Sequence, residues 1–126
     1  MRNPNPERVR IVHRLAWLWE PLEADVTFEL GSMFGTKVVF IGGRLVLCFA
    51  TKEEPWRGLL VCTDRVHQES LMNDFPGISP HPVLPKWLYL PESHLRFERT
   101  AERLVEAVRQ RDPRIGIVPG QKKRKR

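Results

Sequence analysis

The chain is poor in sulfur and has no long apolar run. Its two cysteines, Cys48 and Cys62, lie in apolar stretches and match no metal or redox spacing. That pattern points to a reduced, cytoplasmic setting rather than a disulfide framework. No apolar run reaches the roughly eighteen residues that a spanning helix needs, and the first residues are polar and proline-rich, so neither a membrane span nor a signal peptide is expected. His13, His67, His81 and His94 fit no zinc signature, and HExxH and CxxC are missing, so no metal or cofactor is expected. GxSxG is missing as well, and cysteines in mid-strand normally serve packing. Glu53 and Glu54 adjoin in a polar turn, without the low-dielectric setting that separates the pKa values of an acid–base pair. A non-enzyme without catalytic residues is the expectation.

What is present is enough apolar sequence for one core: 126 residues, 41% of them hydrophobic, suit a single domain. The net charge of +6 is unevenly placed. Lys122, Lys123, Arg124, Lys125 and Arg126 carry +5, whereas residues 1–120 hold 16 basic against 15 acidic groups. A neutral body with a basic end differs from a basic domain, which presents a fixed charged surface to a nucleic acid. The expected division is a single α+β domain over residues 1–120 and a disordered basic tail over 121–126. The tail is open to three readings: solubilising, anchoring to nucleic acid, or localising.

Asn5-Pro6-Glu7 reads as a helix start, with Asn as N-cap and Pro at the first helical position. Ile11, Leu15, Leu18 and Leu22 form a buried stripe that Pro21 helps to end. Trp17 and Trp19 lie about 200° apart on such a helix, so one belongs at the rim or in a dimer contact. Alternation over Val26, Phe28 and Leu30 predicts a strand closed by Gly31. The runs Met33–Ile41 and Arg44–Ala50, split by Gly42-Gly43, predict a hairpin, and Trp56–Cys62 a further antiparallel return. Thr63 is placed to cap a short helix from Asp64 to Asn73, with Val66, Leu71, Met72 and Phe75 as its apolar contacts. Prolines from Pro76 to Pro91 predict loop, broken by an edge strand at Lys86–Leu90. The last helix runs to about Arg111, with Phe97, Ala101, Leu104, Val105 and Val108 buried, and Asp112-Pro113 stops it. The order is α-β-β-β-β-α-β-α: an antiparallel sheet of about five strands covered on one face by helices.

Gly31 to Lys37 superficially suggests a phosphate cradle, but its spacing fits neither the P-loop nor GxGxxG, and it reads as a turn between strands. Trp56, Trp87 and Tyr89, with Arg57 and Lys86 beside them, have the makings of a base-stacking platform; the competing reading packs these rings under a helix.

Phe75-Pro76-Gly77-Ile78-Ser79-Pro80 followed by His81 and Trp87, together with the glycine-led strand Gly43–Ala50, resembles the MmcQ/YjbR-like family. Met33-Phe34-Gly35 and its hairpin are similar to the N-terminal domain of TfoX-like competence regulators. The resemblance implies a small α+β domain with DNA binding as a common role. The site residues it suggests are Lys86 and Trp87; the stacking-platform reading adds Arg57, and the charge count adds the tail Lys122, Lys123, Arg124, Lys125 and Arg126. The expected protein is thus a cytoplasmic, bacterial-type binding protein whose partner is nucleic acid. The alternative is a protein partner or a homodimer.

Overall fold

The structure, a computed structural model, describes residues 13–119. The expected helix start at Asn5 and the tail 121–126 lie outside them. Six strands form one antiparallel sheet: β1 (Glu29–Met33), β2 (Thr36–Ile41), β3 (Arg44–Thr51), β4 (Arg57–Val61), β5 (Ser79–Pro80) and β6 (Leu88–Pro91), in the spatial order β1-β2-β3-β4-β6-β5. The helices are α1 (Ala16–Trp19), continued by a 3-10 segment over Glu20–Ala24, then α2 (Gln68–Asp74) and α3 (Phe97–Arg109). This is the expected α+β architecture, with six strands rather than five.

Gly42 and Gly43 adopt φ of +62° and +80°, as a two-residue hairpin requires. The expected strand over Val26–Leu30 begins later. The Asp25 carboxylate accepts from the Thr27 amide (2.8 Å) and hydroxyl (2.6 Å), a local turn that competes with strand pairing and leaves Val26 98% exposed. Gly31 consequently sits in the middle of β1 instead of ending a strand. The run Met33–Ile41 is likewise divided, because Phe34-Gly35 forms the tip of a hairpin between β1 and β2.

β3 carries a bulge. Val39 faces Leu47 while Phe40 faces Leu45, so Val46 is one residue in excess. Val46 and Leu47 both join the helix-side core, and Leu45 joins the opposite one. Gly58 is demanded by close approach: at φ +139°, a Cβ there would meet the Leu90 carbonyl oxygen at 2.2 Å and the Glu92 nitrogen at 2.7 Å.

The helix-side core joins Leu15, Leu18, Trp19 and Leu22 to Phe49, Leu59 and Leu88 and to the stripe of α3. That stripe comprises Phe97, Thr100, Ala101, Leu104, Val105 and Val108, the expected residues with Thr100 added; the Thr100 hydroxyl donates to the Pro76 carbonyl at 2.9 Å. Trp19 is 5% exposed and meets Phe49 edge-on at 5.1 Å, whereas Trp17 is 40% exposed, so the two tryptophans separate as expected. Thr63 does not cap a helix. Its hydroxyl donates to the Arg114 carbonyl at 2.6 Å, a 3-10 turn over Arg65–His67 precedes α2, and Val66 lies exposed rather than packed.

The opposite face has a second, smaller core of Val38, Leu45, Cys48, Ala50, Leu60, Cys62 and Tyr89. Its cover is made of loops: Trp56, Leu84, Trp87 and Ile117 pack on it, and Ile117 exchanges backbone hydrogen bonds with Leu45 (2.8 and 3.0 Å). The expected edge strand at Lys86–Leu90 is therefore corrected. The strand starts at Leu88 and lies inside the sheet between β4 and β5; Lys86 and Trp87 belong to the loop before it.

Candidate interaction surface

Tyr89, Trp56 and His81 form a row of rings across the second face that ends at Phe34. Ring centroids are 5.2 Å apart for His81–Tyr89, 4.4 Å for Trp56–His81 and 6.1 Å for Phe34–Trp56. His81 is buried and fully used. Its Nδ1 accepts from the amides of Val83 and Leu84, both at 3.0 Å, which assigns the proton to Nε2, the donor to the Pro55 carbonyl at 2.7 Å. The Tyr89 hydroxyl accepts from the Arg57 amide (3.1 Å) and donates to the Arg57 carbonyl (2.7 Å); burial raises its pKa. These rings pack on the sheet as the structural reading expected, but under loops instead of a helix.

The site residues suggested by sequence are only partly gathered. Trp87 is half-buried on the second core. Lys86 is exposed, its carbonyl held by the Gln68 side chain at 3.0 Å. Arg57 is committed elsewhere: its Nε lies 3.5 Å from Glu92 and its guanidinium donates to the Lys52 carbonyl. Lys122 to Arg126 lie outside the described residues. Residues 13–119 hold 13 basic against 14 acidic side chains, a net of −1, so the positive charge belongs to the chain's ends.

Other possible centres are occupied by their own contacts. The Cys48 and Cys62 sulfurs sit 3.8 Å apart, and burial raises the Cys62 pKa, which suppresses the thiolate. No three His, Cys, Asp or Glu side chains gather as a metal site among the described residues. An open cleft of about 660 Å³ between α1 and the start of α3 is lined by Arg14, Trp17, Glu92, His94, Arg96 and Arg99. Within it Arg14 donates to Glu92 at 2.5 Å, a bond that lowers the Glu92 pKa.

The two edges of the sheet differ. β5 is two residues long and ends in Pro80, which blunts that edge. β1 is five residues long, with Glu29 as its one charge and no proline, and it pairs only with β2. Leu30 is 43% exposed, and at the adjoining tip Phe34 is 56% exposed at φ +57°. A bulky side chain in that region is strained by about 1–3 kcal/mol. The Lys52 ammonium lies against the same tip, over Gly35. An open edge with apolar side chains at hand offers unpaired backbone groups to another strand. Sequence reasoning places a turn here but puts the sheet's edge at Lys86–Leu90 instead of at β1; the signal was the glycine of Phe34-Gly35 interrupting a β-rich run.

No helix among the described residues is long and apolar enough to cross a membrane. Comparisons with protein-family models, curated proteins and solved structures found no match.

Proposed function

We propose that the chain is a non-enzymatic, cytoplasmic, bacterial-type binding protein of the MmcQ/YjbR-like class that takes an extended strand of a protein partner onto β1. The observation that carries this reading is the open β1 edge, flanked by exposed Leu30 and strained Phe34 on a body of nearly balanced charge. Main-chain hydrogen bonds supply affinity in this mode, and alternate side chains supply selectivity. The test is capture of extended peptides from a display library, with hydrogen exchange followed at Glu29–Met33. Slower exchange there in the complex is expected; protection only elsewhere would sink the reading.

A second reading is favoured by one observation, the concentration of +5 in Lys122–Arg126. A tail of that charge binds nucleic acid without sequence preference, with a log–log salt slope of about −4 to −4.5 on duplex DNA. Anisotropy titrations of labelled DNA across salt would show the slope collapse on removal of residues 121–126, and Lys86→Ala or Trp87→Ala would lower affinity further. Unchanged binding in all three variants refutes it.

A further inference from the structure

We infer that the strand received by β1 is β1 of a second copy, paired antiparallel about Gly31 so that two sheets join into one; this rests on the strand-addition reading above. In that register Glu29 faces Met33 of the second copy, Leu30 faces its Ser32, and the two Gly31 residues meet on the two-fold axis. The residue on the axis is the one that faces itself, and it carries neither charge nor side chain to obstruct backbone approach.

Side-chain faces agree as well. Leu30 pairs with Val39 and Ser32 with Lys37, while Gly31 pairs with Val38. Val39 belongs to the helix-side core and Val38 to the opposite core. The pairing therefore puts Leu30 beside Ser32 on the helix side, and Glu29 beside Met33 on the other.

Charge is complementary. Neither Glu29 nor Lys52 has an ion-pair partner among the described residues. Glu29 would face Met33 of the second copy, next to the hairpin tip over which Lys52 lies. Two symmetry-related Glu29–Lys52 pairs result, and no like charges stand opposite one another. The blunt edge at β5 ends growth at two copies, since a two-fold contact consumes the one open edge of each sheet.

Gly31 permits a direct test. A Cβ built there meets Val38 Cγ2 at 3.5 Å and Phe40 Cε1 at 3.6 Å, ordinary contact distances, so a longer side chain is compatible with the fold. Gly31→Lys and Gly31→Glu each place like charges across the axis and should weaken self-association by roughly tenfold or more. An equimolar mixture of the two should recover it as a heterodimer, which also shows that both variants are folded. Light scattering and sedimentation across concentration read the outcome. A wild-type monomer up to about 1 mM, or a dimer that both variants leave intact, overturns the inference. A monomer that still captures display peptides on β1 sinks the homodimer alone; one that captures none there sinks the strand-addition reading too.

Discussion

Replacing His81 with Phe would remove three hydrogen bonds while keeping a ring between Trp56 and Tyr89. The amides of Val83 and Leu84 lose the Nδ1 acceptor, and the Pro55 carbonyl loses the Nε2 donor. A buried backbone group left without a partner costs about 1–3 kcal/mol, but the 82–83 segment lies at the surface, where water satisfies part of the loss. The expected cost is therefore about 3 kcal/mol, or a fall in Tm of roughly 10 °C for a domain of this size. Urea unfolding followed by tryptophan fluorescence measures it, because Trp56 lies 4.4 Å from the replaced ring. Hydrogen exchange should quicken first at Val83 and Leu84, whose acceptor is gone. A loss under about 1 kcal/mol, with the exchange of these two amides unchanged, would show that His81 does not clamp the loop to the second face.

Gly58→Ala should unfold the protein or cost more than about 3 kcal/mol, since its Cβ would collide with backbone and not with a movable side chain; circular dichroism decides. Trp19→Ala should cost about 3–5 kcal/mol and Trp17→Ala less than about 1 kcal/mol, the gap in denaturant midpoint reporting which ring is inside. Phe34→Gly should raise stability by up to about 1 kcal/mol by relieving the positive φ, while weakening partner capture in the binding assay. Stability should fall in acid. Thr27's hydroxyl and amide, then Arg111, hold the Asp25 carboxyl at about 2, and Arg14 and Arg114 lower Glu92 and Asp112. Carboxyls depressed in the folded state stabilise it above their ordinary values near 4 and lose that contribution as pH drops through the folded values. Thermal melts from pH 5 to 2 should show the decline, with a shallower slope for Asp25→Asn; an unchanged slope would remove Asp25 from the account.

The sheet and both helical stripes were readable because burial imposes periods of 2 and 3.6 that short-range chemistry did not override. Gly42-Gly43 announced its turn through backbone geometry alone. The errors occurred where a side chain took over a backbone bond: Asp25 with Thr27 shifted the first strand, and Thr63 turned to Arg114 instead of capping α2. The position of β6 depended on contacts between segments far apart in sequence, which no local pattern records, so its neighbours Lys86 and Trp87 were assigned to a strand they precede. The grouping of Trp56, Trp87 and Tyr89 on one face was legible; that loops roof it was not. Nor was the loss of Arg57 to Glu92, a pairing across 35 positions of sequence.

The surplus residue Val46 is where β3 takes up a difference in length from β2. Leu45 and Leu47 already lie on opposite faces, so a chain lacking Val46 would keep Leu47 against Val39 and Leu45 against Phe40, and neither layer would exchange side chains with the other. What it would lose is one helix-side side chain and the local bend that an extra residue puts into a strand. A one-residue deletion at Val46 should therefore be better tolerated than one at Leu45, Leu47 or Cys48, each of which takes a fully buried side chain from a core.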